Sequence, residues 1–423
     1  MGDTRPIEPA EPRHVRYNYA VHAVEGGLFM GGLAFVSFTT LMPTVVKHLG
    51  GPDWLVSLTP IMMWSGLMLP PVFTAHRIDR LRRYMPLLLV TGIIQRLPYL
   101  AAALALFYLA DARPLLVLAV VAFGPLVAGV ASGVSLTAWQ QLLLRTVPQR
   151  RRSSLMASRY VIASLLGLGA GWAAKAVLAS HPGTQGYAIL HLCAFGMLIA
   201  GYLAFALIRE TPSEPPPGPA VGLAQNLRAI PQLLRQERRV RQYMVARSLM
   251  SGVFILTPFL AIYARHRLGE TESYLGQLLM VQMVGAIVGN VVGGALGDRA
   301  GGKAVLILSQ VAFIVLAAWS AVAGTDVEFQ VIFALFGLAF SAMNIGTMTL
   351  SLEVCPLRQR STYLAVISFT CLVSMVAATV TSALVWSGPD RFAALAVLTV
   401  VSVGASLAFL VPLRDPRSTS AAG

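Results

Sequence analysis

Three polar residues near the start of the chain are spaced so that they could bind a proton together. Asn18, His22 and Glu25 are separated by four and three positions, so they share one face of a helix, with Phe29 one turn further on. The residues around them are apolar, and an ionisable group in such a setting is costly unless it is paired or faces water. Burial disfavours the charged form of a carboxylate, which makes Glu25 a candidate for binding and releasing a proton. The alternative is a structural ion pair.

A second charged group lies within an apolar run further along the chain. Arg96, beside Gln95, lies about eleven residues into a run that begins near residue 85. A guanidinium keeps its charge at physiological pH, so in an apolar setting it requires an anionic partner. Two predictions remain open: an ion pair between Glu25 and Arg96, or an anionic substrate group held by Arg96.

These residues lie in segments that are long enough to cross a membrane. Of the 423 residues, 56% are hydrophobic and 12% are charged, and the mean hydropathy is +0.69, values that are unusual for soluble domains. A helix needs roughly 20 apolar residues to cross the hydrocarbon core of a bilayer. We find such runs, numbered spans 1 to 12, at roughly 18–46, 53–75, 85–109, 113–143, 155–179, 187–208, 242–264, 273–296, 304–323, 329–352, 361–386 and 391–412. The first lacks a small-residue cleavage site, which favours an uncleaved span over a signal peptide.

The basic residues indicate how these spans are oriented. The formal net charge is +14. With the N-terminus inside, about 23 of the 32 Lys and Arg residues fall in cytoplasmic segments and about six in external ones. This bias predicts cytoplasmic termini and explains the charge without a nucleic-acid partner. Abundant Ala and Gly and few Lys indicate a bacterial protein, and therefore a location in the inner membrane.

The chain divides into two similar halves. Segment 209–241 begins rich in proline and becomes basic. We predict that it is a cytoplasmic linker between six-span bundles at 17–208 and 242–412, with cytoplasmic tails at 1–16 and 413–423. A shared motif, P-x-R-x-R-S-[ST], begins at Pro148 after span 4 and at Pro356 after span 10. Its two hydroxyl residues are predicted to cap the outgoing helix, and its recurrence indicates an internal duplication.

An Asp-Arg motif also recurs between two spans of each half. Span 8 is followed by Gly-Ala-Leu-Gly-Asp-Arg-Ala-Gly-Gly-Lys, residues 294–303, and span 2 by a degraded copy that contains Asp79 and Arg80. This pattern resembles the loop that follows the second helix of each half in transporters of the major facilitator superfamily. The resemblance covers residues 17 to 412 and implies an all-α membrane protein of twelve helices in two pseudo-symmetric bundles. It also implies a cytoplasmic gate that opens when the transporter turns inward, formed here by Asp79, Arg80, Gly294, Asp298, Arg299 and Gly301.

The same resemblance places spans 1, 4, 7 and 10 around a central cavity, which adds weight to Gln140 and Asn344. Arg247, at the start of span 7, has an alternative interpretation as a residue that reaches the membrane surface. The candidates for binding a substrate or a proton are His22, Glu25, Arg96, Gln140, Arg247, Gln282 and Asn344. In span 8, glycines at four-residue spacing, from Gly285 to Gly297, predict close helix packing.

The sequence contains no nucleotide-binding loop, no metal-ligand spacing and no pairing of a nucleophile with a base. Its three cysteines do not form a disulfide framework. We therefore expect no enzymatic activity, no cofactor and no metal site. The expected partners are a small-molecule substrate, protons as the coupling ion and the lipid bilayer, and the expected state is a monomer.

Few fixed charges and many apolar side chains in the cavity spans favour one function. We expect a secondary transporter that works by alternating access and exports an amphipathic or hydrophobic small molecule in exchange for protons. Import of a small polar metabolite and flipping of a lipid-linked molecule remain open. A non-transporting sensor or assembly factor with the same fold is the alternative from a different class.

Overall fold

The computed structural model describes residues 12–78, 81–211, 237–355 and 360–413, and over these residues the regular structure is helical. Besides one short turn of 3-10 helix at Pro389–Arg391, it consists of α-helices. Their bounds are α1 Pro12–Ala34, α2 Leu41–His48, α3 Asp53–Met68, α4 Pro71–Ile78, α5 Met85–Tyr108, α6 Pro114–Thr146, α7 Gln149–Ser180, α8 Thr184–Ala206, α9 Arg238–Met250, α10 Val253–Leu268, α11 Tyr274–Ser320, α12 Asp326–Val354, α13 Arg360–Val385 and α14 Phe392–Leu410.

Most of the predicted spans are continuous helices. Within the described part of the chain, nine helical stretches are long and apolar enough to cross a membrane, and they cover spans 3 to 12. One stretch combines α9 and α10, and another is α11, whose 47 residues contain spans 8 and 9. The prediction of an all-α membrane protein with twelve spans is confirmed.

Spans 1 and 2 differ from the prediction because each is divided into two helices. Span 1 is interrupted between Ala34 and Leu41, and span 2 ends its first helix at Met68, just before Pro70 and Pro71. Proline lacks a backbone N–H and clashes with the preceding turn, so the Pro-Pro pair explains the second break. A similar break divides α11 at Gly301, whose φ of 80° and ψ of 170° suit a residue without a Cβ.

Consecutive spans run in opposite directions, so their connections gather at two ends of the bundle. At one end, a Glu210 carboxylate oxygen accepts the backbone N–H of Tyr84 at 2.7 Å, and Lys303 Nζ donates to the Leu413 carbonyl at 2.8 Å. We call this the basic end, because it carries the Asp-Arg motif. The opposite end, where α2 finishes at His48, is called the far end.

Close backbone contacts hold each half together. In the first half α1 packs against α7 and α8, while in the second half α11 packs against α12 and α14. A Cβ added to Gly285 would lie 1.8 Å from the carbonyl oxygen of Ala334, and one added to Gly289 would lie 2.5 Å from that of Leu338. These two glycines therefore let α11 approach α12, which confirms their predicted role in packing.

The two halves meet through α7 against α11 and through α3 against α10 and α13. The tightest approach lies towards the far end, where a Cβ on Gly276 would be 2.2 Å from the backbone nitrogen of Lys175. Near the basic end of the same helix, a Cβ on Gly294 would meet no described atom within 4 Å. The halves are therefore closest at the far end.

Candidate functional site

A buried ion pair joins Glu25 of α1 to Arg159 of α7. Arg159 Nη1 donates to Glu25 Oε2 at 2.8 Å and to the His22 carbonyl oxygen at 3.0 Å. Only 8% of the Glu25 side chain and 5% of the Arg159 side chain are exposed. The guanidinium also lies 5.2 Å from the centroid of the Trp139 ring. Breaking a buried pair by removing one partner typically costs about 3–5 kcal/mol, so the contact between Glu25 and Arg159 holds α1 to α7.

The predicted pair between Glu25 and Arg96 is wrong, because the carboxylate contacts α7 rather than α5. Sequence reasoning missed Arg159, which lies close to a basic loop and so resembled an ordinary residue of a helix end. One signal could have identified it. Glu25 and Arg159 are each about 10 to 13 residues from the start of their helices at the basic end, and therefore lie at similar depths.

Arg96 is stabilised by neutral groups of the protein. Its Nε donates to the Leu198 carbonyl and its Nη1 to the Gly92 carbonyl, both at 2.7 Å. Its Cζ lies 5.7 Å from the ring centroid of Phe29 and 5.1 Å from that of Tyr202. Carbonyl oxygens and ring faces supply the negative potential that a buried cation needs. Arg96 thus ties α5 to α8, and the structure brings it no carboxylate partner among the described residues.

Gly26 leaves the space that the Arg159 guanidinium occupies. A Cβ added to Gly26 would lie 2.0 Å from both Nε and Cζ of Arg159. At the neighbouring Gly27, a Cβ would lie 2.3 Å from Cγ2 of Ile162 instead. Both glycines bring α1 close to α7, but only Gly26 contacts the charged group.

His22 and Asn18 share a face with Glu25, as predicted, but each bonds to a different helix. The Thr146 hydroxyl donates its hydrogen to the Leu142 carbonyl at 2.7 Å, so His22 Nε2 must be the donor in its 2.9 Å bond to Thr146 Oγ1. His22 Nδ1 is then an unprotonated nitrogen, buried and without a described partner. Asn18 bonds to the backbone N–H and carbonyl of Arg209 at 3.0 and 3.1 Å, which fixes the end of α8.

Gln282 bridges the two halves and is almost fully buried. Thr40 Oγ1 of the first half donates to Gln282 Oε1 at 2.8 Å, and Gln282 Nε2 reaches Thr39 Oγ1 at 3.5 Å. Closer to the far end, Lys175 Nζ donates to Gln277 Oε1 at 3.1 Å. Gln282 therefore lies in the closed contact between the two halves.

Exposure along one face of α12 changes from one end to the other. Towards the far end, Phe333 is 1% exposed and Gly337 is buried. Ser341 is half-buried, and one and two turns closer to the basic end Asn344 is exposed and Met348 is 66% exposed. Because these residues share one helical face, the face opens towards the basic end.

The remaining candidates lie apart from the buried pair. Gln140 is exposed on α6, about two turns from its basic end, and Arg247 is half-buried on α9. In the Asp-Arg motif of the second half, Gly301 forms the break in α11, and Asp298 and Arg299 are exposed in the turn before it. Asp79 and Arg80 lie outside the described residues.

The motif that starts at Pro148 serves a different local purpose from the one predicted. Pro148 itself stands before the first turn of α7, without a side-chain cap, and Ser154 is inside the helix. Ser154 Oγ donates to the Arg151 carbonyl at 3.0 Å and accepts from the Tyr19 hydroxyl at 3.3 Å. Ser154 therefore links α7 to α1 rather than capping α7.

A second polar cluster spans the two halves at the far end. His48 Nδ1, at the end of α2, donates to Glu272 Oε1 at 2.9 Å, and Arg265 Nη1 lies 3.8 Å from the same oxygen. The hydrogen bond with Glu272 raises the pKa of His48 above its usual value, although partial burial opposes the shift. Burial acts to raise the pKa of Glu272, but the hydrogen bond and charge of His48, together with Arg265, lower it overall.

The chemistry available in these sites is proton exchange and electrostatic contact. Among the described residues, no group of three or more His, Cys, Asp or Glu side chains is arranged to bind a metal ion. Two of the titratable groups inside the first half, Glu25 and His22, lie beside Arg159.

Comparison with known proteins finds a family model that matches part of the chain, and solved structures of similar fold. Residues 243–423 match the model of the Major Facilitator Superfamily. Similar solved structures include the nucleoside transporter NupG in a D323A mutant form (14% identity, 93% of this chain and 99% of that chain, TM-score 0.70). A D-xylose-proton symporter has 14% identity, coverage of 95% and 99%, and a TM-score of 0.71. A bacterial homologue of the iron transporter ferroportin, in an inward-facing state, has 13% identity, coverage of 94% and 99%, and a TM-score of 0.66. Such identities show a common fold, and no curated protein matches the chain.

Proposed function

We propose that the chain is a member of the Major Facilitator Superfamily, whose model matches residues 243–423, and that it is a proton-coupled secondary transporter that works by alternating access. The observation that carries the proton coupling is the buried pair between Glu25 and Arg159. Its carboxylate is an acid within a predicted membrane span that has a fixed cation as its partner. Such a group changes its contacts when it binds a proton, which is the requirement for coupling.

We assign the basic end to the cytoplasm, because Lys and Arg are enriched in the segments on that side. The close contacts at the far end then form an external gate, comprising Thr40 with Gln282, Lys175 with Gln277, and His48 with Glu272. The exposed face of α12 around Asn344 and Met348 supports a cavity that opens to the cytoplasm. The conformation described is therefore inward-facing in this proposal.

Proton binding to Glu25 would release Arg159 from its ionic partner. A buried guanidinium without an anion is costly, so the packing of α1 against α7 is weakened when Glu25 is neutral. His22 lies one turn from Glu25 on the same helix face, and its Nδ1 is buried without a described hydrogen-bond partner. Proton occupancy is thus linked to the position of α1, the helix that continues into α2 of the external gate.

For the cargo, we propose an amphipathic or hydrophobic small molecule that is exported. Support comes from the mixture of side chains on the exposed face of α12, where Asn344 supplies one amide and Met348 a flexible apolar surface. The solutes named for the similar structures, nucleosides and D-xylose, belong to those proteins. They define the polar alternatives against which the proposal is tested.

The coupling proposal is tested with Glu25→Gln, which keeps the side-chain shape and removes the proton site. In proteoliposomes that contain a pH-sensitive dye, substrate-driven proton movement should fall to the level of protein-free liposomes, while substrate exchange persists. The matched control is Asp53→Asn, which removes a carboxylate paired with Lys47 at the far end. Undiminished proton movement in Glu25→Gln would show that another group carries the proton.

The cargo is tested by ligand-induced thermal stabilisation of the purified protein. Amphipathic dyes and detergent-like cations form one panel, and nucleosides and sugars form the other. Hits are then tested for counterflow and for cellular content after gene deletion, which should rise for an exported solute. Stabilisation only by the polar panel, or a fall in content, indicates an importer, and lack of flux for any hit indicates a sensor.

A further inference from the structure

The far-end cluster joins segments that belong to different halves of the protein. His48 terminates α2 in the first half, whereas Glu272 lies in the turn between α10 and α11 in the second. The His48 side chain is 33% exposed and that of Glu272 is 15% exposed. Solvent therefore has access to the pair, and the two side chains remain in direct contact. Any motion that parts the halves at this end must break the 2.9 Å bond between them.

The charged and titratable surroundings of His48 are well defined. On its own helix, the neighbouring Lys47 is engaged by Asp53 of α3 at 2.6 Å. From the second half, Arg265 at the end of α10 approaches Glu272 at 3.8 Å. From α8, the Tyr187 ring is tilted against the imidazole with centroids 5.7 Å apart. Glu272 is therefore the anion that faces His48, with Arg265 as the opposing cation.

We propose that His48, Glu272 and Arg265 form a proton-binding site across the two halves, and that a proton bound at His48 holds the external gate closed. The site is separate from Glu25, which lies in the half of the bundle nearer the basic end. It requires neither a substrate nor the coupling role assigned to Glu25.

The direction of the effect follows from thermodynamic linkage. The bond to Glu272 raises the pKa of His48 in the closed gate, and this bond is lost when the halves separate. A group whose pKa is raised in one state stabilises that state below its unperturbed pKa, about 6.5 for His. That stabilisation disappears as the pH rises through the raised pKa. Glu272 has a lowered pKa, so its contribution fails only in acid near or below about pH 4.

Acidic conditions above about pH 4 therefore favour the closed external gate, and alkaline conditions favour its opening. In a cell with an acidic exterior, the proton would drive the transporter towards the inward-facing state before any cargo binds. For each unit by which the pKa of His48 is raised, the equilibrium between the closed and the open gate changes by up to about tenfold.

The experiment measures the distance across the external gate in the full chain. Spin labels are placed at Asp111, in the turn after α5, and at Val322, in the turn after α11, which are exposed at the far end of opposite halves. The three native cysteines are replaced by Ser. Electron–electron double resonance on protein in lipid nanodiscs is recorded at about pH 5.5 and about pH 8.5, on either side of the ordinary His pKa of ~6.5. We expect the short-distance population to dominate at acid pH and to decrease at alkaline pH.

Two variants and one control identify the responsible group. His48→Gln keeps a hydrogen-bond donor without titrating, so its distance distribution should not change with pH. His48→Lys carries a permanent charge and should favour the short distance at both pH values. The control is His181→Gln, since His181 is an exposed far-end histidine that contacts Ser180 of its own helix.

Several results would overturn the proposal. They are a wild-type distribution that does not respond to pH, a larger opening at acid pH, or a pH response that survives in His48→Gln. Because the readout is a distance, a failure here leaves the Glu25 coupling test intact, and a failure of that test leaves this one intact.

Discussion

At the residue level, the charge chemistry of the first half is concentrated where α1 meets α7. Glu25 and Arg159 form a buried pair, while His22 contributes an unprotonated nitrogen one turn away. The guanidinium of Arg96 lies beside Phe29, one turn after Glu25 on α1, and is stabilised by carbonyls and rings, with no described carboxylate at ion-pair distance. The contacts of the two arginines therefore differ in how they depend on protonation. In the proposed mechanism Arg159 responds to the protonation of Glu25, whereas the hydrogen bonds from Arg96 to carbonyl oxygens do not change with pH.

Gly26 sets the position of the Arg159 guanidinium, so Gly26→Ala should displace that group from Glu25. A Cβ at this position would lie 2.0 Å from Arg159 Nε, and over-packing of this kind costs about 1–3 kcal/mol. We expect proton-coupled transport to be lost or its pH optimum to shift. The measurement is the pH profile of substrate-driven proton flux.

Gly27→Ala is the matched control, because its Cβ would lie 2.3 Å from Ile162 and touch no charged group. It should lower stability by a similar amount and leave the pH profile of the remaining activity unchanged. Equal changes of the pH profile in both variants would mean that Gly26 acts only through helix packing.

At the level of elements, glycines determine how closely helices approach, and breaks determine where they turn. α11 packs Gly285, Gly289 and Gly293 against α12 and then turns at Gly301. α1 and α3 are each followed by a short second helix, so the segments of spans 1 and 2 nearest the gates are separate pieces. Short helices joined by a break can reorient more easily than one continuous helix, which suits segments that line an opening and closing cavity.

The contact between α11 and α12 predicts a position-specific loss of stability. Gly285→Ala should destabilise the protein by about 1–3 kcal/mol, because its Cβ would lie 1.8 Å from the Ala334 carbonyl oxygen. Gly404→Ala, on α14, meets no described atom within 4 Å. It should be neutral or stabilising by up to about 1 kcal/mol, since Ala is the better helix former. The measurement is the apparent melting temperature of each purified variant, which should be lower for Gly285→Ala than for Gly404→Ala. Equal melting temperatures would contradict the assigned contact.

At the level of the whole molecule, the distribution of contacts defines a conformational state. The halves are joined near the far end by Thr40 with Gln282 and by Lys175 with Gln277. Towards the basic end, the face of α12 that contains Asn344 becomes exposed. A transporter that alternates must exchange this arrangement for one that is closed at the basic end, where the Asp-Arg motif of Asp298 lies.

Locking the far end should stop the transport cycle. In a background with the native cysteines replaced by Ser, Lys175→Cys and Gln277→Cys introduce thiols where the native side chains meet at 3.1 Å. A short bis-methanethiosulfonate reagent should cross-link them and abolish transport, and a reducing agent should restore it. The two single-cysteine variants serve as controls, and unchanged flux in the cross-linked protein would show that this contact does not open.

The sequence alone determined the properties that depend on local composition and periodicity. Apolar runs, paired loop motifs and the alternation of basic segments predicted the twelve helical spans and the duplication, and the spacing of Asn18, His22 and Glu25 predicted their common face. The tertiary structure decided the partners. Glu25 and Arg159 are 134 residues apart in sequence, and Thr40 and Gln282 are 242 apart.

Such contacts depend on the rotation of each helix about its axis and on the tilt of one half against the other. No local pattern encodes these quantities, because the same apolar face can pack against any of several neighbours. For this reason the pairing of Glu25 with Arg96 looked reasonable from the sequence, and the contact of Gln282 with Thr40 could not be foreseen. In the folded protein, α7 brings Arg159 to Glu25, and Thr40, just before α2, bonds to Gln282 of α11, which makes Gln282 part of the contact between the halves.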